Sequence, residues 1–249
     1  MRNFIYLCTD FSTILYEMEV IEEQLSPLWK LSAMWSTLTE QEREYVSLHT
    51  DIVRYEKNEN IHLDGEDSAY VWVLLSGKVR IYKEGIGQRM QIIRMLKPHD
   101  IFGYRAVIAA EPYNSNANAF ETCVVYRISN TVFTHLIRSN GAFCYQIMHT
   151  MAKDLAISEI QTVNLTQKHI RGRLAESLLH ICKKYGYEED GRTLAMSIPR
   201  EDLANMSNMT TSNAIRTLSQ FAQEGLVAID RKQILIMKEK ELERISRLG

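Results

Sequence analysis

From Asn140 to Gln167 the chain has no proline and a single glycine, Gly141. Within that stretch Cys144, Met148, Met151, Leu155, Ser158, Thr162 and Leu165 recur at alternating four- and three-residue steps, the period of a coiled-coil seam. The first half of the seam is apolar and the second polar. Such a helix either packs one face on its own domain or pairs with its twin across a two-fold axis. The turn to polarity midway favours the dimer.

On the N-terminal side of this helix, residues 50–128 follow a different period. AYVWVLLSGKVRIY alternates at Ala69, Val71, Val73 and Leu75, breaks at Ser76-Gly77, and resumes at Val79 and Ile81. Strand-like pieces follow at 90–96 and 122–128. Turn signals separate them at Asp64-Gly65, Glu84-Gly85, Lys97-Pro98 and Glu111-Pro112. Short strands with frequent turns predict an antiparallel barrel or roll, with Trp72 and Tyr82 as packing residues.

On the C-terminal side, RGRLAESLLHICKKYG is an amphipathic helix with Leu174, Leu178 and Ile181 on one stripe and Gly186 as its stop. Then comes a short helix over 200–206, after Pro199, with Leu203 and Met206 facing inward. Ser207-Asn208-Met209 is a three-residue turn in which Asn208 stands where a left-handed conformation is wanted. Thr210 caps the next helix, which runs to about Glu224 and stops at Gly225. Ala214, Leu218 and Phe221 form its apolar stripe; Thr211, Ser212, Ile215, Arg216 and Ser219 face the other way. Helix, tight turn and helix is the DNA-binding helix-turn-helix, whose second helix enters the major groove. Short hydroxyls and an amide at its first turn (Thr211, Ser212, Asn213) let the helix approach base edges and phosphates closely, and Arg216 can fork onto guanine. LVAIDRKQILIM reads as a two-stranded wing turning at Asp230-Arg231-Lys232. Arg200 and Lys232 are candidate phosphate contacts. The other reading is an ordinary helical hairpin with polar caps.

A formal net charge of −2 does not oppose DNA binding, because it is unevenly spread. Residues 166–249 hold 14 Lys and Arg against 11 Asp and Glu, a local +3, and the remainder is −5. Only local basicity steers toward phosphates.

Other classes find little support. No run approaches the ~18 apolar residues of a membrane span. The apolar N-terminus is interrupted by Asp10, Glu17 and Glu19, which reads as an extension of a cytoplasmic protein, not a secretory signal. Cys8, Cys123, Cys144 and Cys182 lack the spacing of an iron–sulfur or zinc site and read as reduced thiols. No metal site, nucleophile elbow, phosphate-binding glycine loop or paired carboxylates suggests an enzyme.

Two stretches in this order, GEDSAYVWVLLSGKVRIYK and IPREDLANMSNMTTSNAIRTLSQFAQEGLV, give the chain a family likeness. Over roughly residues 30–240 it resembles the bacterial cyclic-AMP receptor protein / fumarate–nitrate regulator (Crp/Fnr) family. The resemblance implies an α+β fold: an N-terminal antiparallel β-roll (a double-stranded β-helix like a cyclic-nucleotide-binding domain), a long dimerisation helix and a C-terminal winged helix-turn-helix. The expected divisions are an N-terminal extension at 1–29, the sensor at 30–139, the long helix at 140–167 and the reader at 168–249. A homodimeric transcriptional regulator on a two-fold-symmetric operator in double-stranded DNA is expected, with RNA polymerase as a further partner and no membrane.

The departures from the family pattern carry information. Where the family commonly begins its recognition helix with Arg-Glu, this chain has Thr211-Ser212 and retains only Arg216, so a different operator is expected. Where nucleotide-binding members hold ribose and phosphate with a Gly-Glu…Arg-Ser cassette, this chain reads FGYRAVIAAEPYNSNANA. Gly103 is kept, Tyr104 replaces the glutamate, and Asn114 followed by Ser115 stands where the arginine belongs. A buried cyclic phosphate would lose its charge-assisted fork, which argues against cyclic AMP; Arg105 could compensate only along a changed loop path. The candidate effector pocket is Gly103, Tyr104, Arg105, Asn114, Ser115 and Asn116, with Tyr113 beside them and Ser158 from the long helix. It suits a neutral small molecule or is simply filled. His62, His99, His135 and His149 are conceivable haem ligands but lie in no diagnostic motif, and Cys8 alone cannot make an iron–sulfur cluster. The alternative function is a cyclic-nucleotide- or haem-binding module acting through a protein partner.

Overall fold

The computed structural model describes residues 27–249; Cys8 and most of the expected N-terminal extension lie outside them. Three short helices lead in: α1 (Leu28–Leu31), α2 (Ala33–Ser36) and α3 (Glu40–Leu48). Thr39 starts α3 with a reciprocal capping box, its hydroxyl accepting from the Glu42 amide while the Glu42 carboxylate accepts from the Thr39 amide. These helices are too short to show a hydrophobic period, and Thr39-x-x-Glu42 is their one local sequence signal.

Eight strands follow: β1 (Thr50–Tyr55), β2 (Asn60–His62), β3 (Tyr70–Ser76), β4 (Val79–Glu84), β5 (Met90–Leu96), β6 (Ile101–Phe102), β7 (Asn116–Ala119) and β8 (Cys123–Ser129). They form two four-stranded antiparallel sheets, ordered β1-β8-β3-β6 and β2-β7-β4-β5, which is the expected roll. A short helix, α4 (Tyr104–Ala109), is inserted between β6 and β7. The alternation expected along β3 is absent: Val71 to Leu75 are all buried. The strand is covered on both faces, by the roll interior on one side and by helices on the other. Its end at Ser76-Gly77 is compulsory. Gly77 has φ 79°, and a Cβ there would stand 2.3 Å from the Thr122 carbonyl.

The roll runs into α5 (Asn130–Ser139) and α6 (Gly141–Gln167). Asn140 caps α6 by accepting from the Phe143 amide and donates to Glu42, which ties the long helix to α3. Phe143 and Ile147 are buried among Leu28, Trp35, Leu38, Phe133 and Leu136. Away from that buried face, α6 exposes apolar side chains along its length: Tyr145, Met148, Leu155, Ile160 and Val163 are each at least half exposed. The expected seam coincides with this stripe only at Met148 and Leu155. Cys144, Met151 and Leu165 are half-buried, and Ser158 and Thr162 are solvent-facing polar residues. Because α6 is apolar on two faces, a heptad fitted to the sequence settles between them.

The reader consists of α7 (Ile170–Tyr185), α8 (Arg200–Met206), α9 (Thr211–Gln223), β9 (Val227–Asp230), β10 (Gln233–Ile236) and α10 (Glu239–Leu248). Its core of Leu174, Leu178, Ile181, Leu203, Ala214, Leu218, Phe221 and Leu242 is continuous with Tyr82, Ile92, Met95 and Phe120 of the roll. The sensor and reader therefore share one apolar cluster. No described helix is long and apolar enough to cross a membrane.

Candidate nucleic-acid interface and sensor cassette

Polar groups at the turn between α8 and α9 hold the two helices together. Asn208 takes φ 48°, a left-handed conformation that asparagine tolerates better than most residues. The amides of Ser207 and Met209 both donate to the Ala204 carbonyl. Ser207 is 1% exposed; its Oγ lies 2.9 Å from Ser177 Oγ on α7 and 2.8 Å from the Leu203 carbonyl. This buried tie fixes the helix pair on α7, and an isolated serine in a turn gives no sequence signal for it.

Thr210 caps α9, its Oγ1 accepting from the Asn213 amide at 3.3 Å. Ala214, Leu218 and Phe221 are buried, together with Thr217. Thr211 and Ser212 are exposed and Asn213 is half-buried. Arg216 is exposed and donates through Nη2 to Asn213 Oδ1 at 2.9 Å, which holds the guanidinium beside the first turn. Ile215, 48% exposed, adds an apolar contact on the same face. β9 and β10 pair in register from Val227↔Ile236 to Asp230↔Gln233, leaving Arg231-Lys232 as the hairpin tip. Arg231 takes φ 53°, and both tip cations are exposed. Arg200, at the start of α8, is half-buried where the reader meets the roll.

The cassette differs in character. Gly103 has φ 81°, and a Cβ on it would meet the Trp72 ring at 2.7 Å. Tyr104 is 4% exposed and donates its hydroxyl proton to Asp154 Oδ2 on α6 at 2.5 Å; Arg94 Nη1 on β5 reaches the same oxygen at 2.5 Å. Burial, followed by the Asp154 carboxylate, pushes the Tyr104 phenol far above its ordinary value. Tyr113 is pinned to β3: its hydroxyl accepts from the Tyr70 amide at 3.0 Å and donates to the Tyr70 carbonyl at 2.7 Å. Burial pushes that phenol up to about 12. The Tyr113 ring stacks on His62 at 4.2 Å, His62 stacks on Trp72 at 5.1 Å, and Trp72 on Phe102 at 5.3 Å.

The remaining pocket candidates do not converge. Arg105 is exposed and paired with Glu111 at 3.1 Å. Asn114 is exposed, and its carbonyl accepts from Lys83. Ser115 is half-buried. Asn116 is buried and accepts from the Asp64 amide at 2.9 Å. Ser158 is exposed on α6. Of the four candidate histidines, only His62 is buried, and burial pulls its pKa down to about 4. His99, His135 and His149 are exposed on separate elements. Cys123 and Cys182 are buried and unbridged.

Sensor and reader also meet through charges. Arg80 on β4 donates from Nη1 to Asp202 Oδ1 on α8 at 2.6 Å and from Nε to Asn118 Oδ1 at 2.7 Å. Near the C-terminus of α7, Lys184 pairs with Asp100 at 2.8 Å, and the Tyr185 hydroxyl donates to the Leu96 carbonyl at 3.3 Å.

The family described as "Cyclic nucleotide-binding domain" matches residues 52–140, and the "Crp-like helix-turn-helix domain" matches residues 172–245. The chain is 21% identical over 196 residues to the CRP-like cAMP-activated global transcriptional regulator of Mycobacterium tuberculosis, covering 78% of this chain and 88% of that one. It is 23% identical to the anaerobic regulatory protein of Bacillus subtilis, covering 76% and 80%. Among solved structures, FixK2 from Bradyrhizobium japonicum superposes with a TM-score of 0.71 at 22% identity, over 79% of this chain and 96% of that one. A CRP-family transcriptional regulator from Thermus thermophilus gives 0.67 at 21%, over 78% and 96%.

Proposed function

For a chain that belongs to the Crp/Fnr family of transcriptional regulators, we propose sequence-specific binding of double-stranded DNA as a cytoplasmic homodimer. The observation that carries this reading is the first turn of α9. Its backbone is fixed by the Thr210 cap and the Ser207 tie, while Thr211, Ser212, Ile215 and Arg216 remain exposed. A rigid helix presenting short polar side chains, one apolar contact and one guanidinium is chemically suited to reading base edges in the major groove. The hairpin tip cations Arg231 and Lys232 suit flanking phosphates.

Pairing of two copies through α6 is supported by its open apolar stripe. Tyr145, Met148, Leu155 and Val163 face away from the buried Phe143 and Ile147. Leaving such a stripe in water forfeits roughly 25 cal/mol for each Å² that a partner helix would cover. A symmetric pair would also present two recognition helices to a two-fold operator.

The cassette reading is that its own side chains occupy the place a cyclic nucleotide would need. Tyr104 and Arg94 are both committed to Asp154, Arg105 to Glu111 and Lys83 to Asp64, so each cation near the cassette is already paired with a carboxylate of the chain. The test is selection of random duplexes by the protein, followed by Arg216→Ala on the selected operator. The expected loss is about 1–3 kcal/mol, with relaxed preference at one base position. An equal loss on selected and random DNA would reduce Arg216 to a phosphate contact, and no selection at all would remove the reading.

A further inference from the structure

The ion pair that crosses from roll to reader is almost closed to solvent: the side chains of Arg80 and Asp202 are 13% and 8% exposed. It stands beside a cleft of about 800 Å³ with roll residues Lys57, Phe120 and Glu121 on one wall and Arg200, Arg231 and Lys232 of the reader on the other. Arg200 is poorly served there. Its Nη1 is buried without a hydrogen-bond partner among the described residues, and burial pulls its guanidinium pKa below the ordinary value. A buried, unpaired guanidinium nitrogen carries a desolvation penalty, so the docked position is not the one in which Arg200 is best satisfied.

On the reading of the protein as a DNA-binding regulator, α8 is the helix that crosses the DNA backbone while α9 enters the groove. Arg200 at its start is then a phosphate contact. A cleft of about 800 Å³ is the size of a small-molecule pocket; it cannot admit a duplex whose major groove alone is about 12 Å wide. In the docked position Arg200 lines this cleft with one guanidinium nitrogen buried and unpartnered among the described residues; full access of a phosphate to it follows when α8 moves away from the roll, and that movement breaks the Arg80–Asp202 pair.

We propose that Arg80–Asp202 is an autoinhibitory latch that holds α8 and Arg200 against the sensor roll, so that full DNA contact requires its release. The Lys184–Asp100 pair near the C-terminus of α7 is the hinge about which α7, α8 and α9, tied together through Ser177 and Ser207, swing as one body. Two states are thereby defined, docked and released, and an event in the roll reaches the reader only through its preference between them. The latch is reversible and needs no cofactor.

The deciding variant is Arg80→Met. It removes a positive charge, so general electrostatics would weaken DNA binding, whereas release of the latch strengthens it. The latch predicts a gain of about fivefold or more, the usual lower range of coupling between two sites, on the operator selected by the wild-type protein. Hydrogen exchange at the α8 amides should accelerate in the same variant, with the roll amides unchanged. Asp202→Asn is the second variant and alters nothing in the roll. Its gain should exceed that of Glu201→Gln, an exposed neighbour that loses the same charge without touching Arg80.

Equal or weaker operator binding by both latch variants overturns the proposal, whatever their exchange shows. Unchanged α8 exchange also overturns it, because the pair would then not be what holds the helix. If neither wild type nor variants select any duplex, the regulator reading itself fails. If both select duplexes with equal affinity, only the latch fails.

Discussion

The cassette and the recognition helix have similar compositions and opposite fates. Both are rich in hydroxyls and amides and hold a single arginine in the turn that matters. In the cassette those groups are spent on the protein itself: Tyr104 on Asp154, Tyr113 on Tyr70, Asn116 on Asp64, and Arg105 on Glu111. In α9, one hydroxyl caps the helix and one amide orients Arg216, while Thr211 and Ser212 face solvent. Buried polar groups must be paired internally to be tolerated, and a surface that keeps its polar groups exposed is equipped to bind something else. Residue type alone does not separate the two regions; the disposition of partners does.

The sharpest way to break this contrast is to truncate the aromatic stack. Trp72 is 2% exposed, stacks on Phe102 and His62 and lies beneath Gly103. Trp72→Ala should cost about 3–5 kcal/mol of stability, measured by denaturant unfolding. Arg216→Ala, at the exposed end, should stay within about 0.5 kcal/mol of wild type. A roll that tolerated Trp72→Ala without loss would have an open interior, and the self-filled cassette would be refuted.

A second measurement asks whether the stack is as dry as its packing implies. His62 has a folded-state pKa of about 4 against an ordinary 6.5, because burial disfavours the imidazolium. Above pH 6.5 the ring is neutral in both folded and unfolded chains, and the full stability is present. As pH falls from 6.5 to about 4 the unfolded chain takes the proton first, and stability drops by up to about 3 kcal/mol. His62→Phe, which keeps a stackable ring, should remove that slope. If unfolding free energies at pH 7 and pH 4.5 differ by the same amount in both proteins, other groups carry the acid sensitivity.

What the sequence made legible was local. Asn208 and Thr210 could be placed because a turn and a cap each need particular chemistry at one position. The change of period along the chain separated a strand-rich stretch from a helical one, while the α+β architecture came from the family resemblance. Contacts between distant positions could not be read. Arg80 and Asp202 are 122 residues apart and Tyr104 and Asp154 are 50 apart; no spacing rule connects such pairs. The filled cassette stayed open in sequence because Tyr104 and Tyr113 could line a pocket as well as close it. The seam expected along α6 took in half-buried Cys144 and Met151 and left out exposed Tyr145, Ile160 and Val163, because a heptad marks apolar positions and only burial shows which of them face solvent.

The smallest effect separates the two roles that Thr210 combines. As the cap of α9 it satisfies the Asn213 amide, and Thr210→Ala should cost about 1 kcal/mol of stability. As an exposed residue at the head of the recognition helix it also lies against the expected DNA. Thr210→Asp distinguishes these roles. Aspartate caps as well as threonine, and its charge suits the positive end of the helix, so stability should be kept or slightly raised. The same charge repels phosphate, so operator affinity should fall more than it does for Thr210→Ala. Thermal melts and operator titrations of the two variants should therefore rank them in opposite orders. Identical ranking in both assays would mean that Thr210 acts on DNA only by stabilising its helix, which would place the reading surface further along α9, at Ser212 and Arg216.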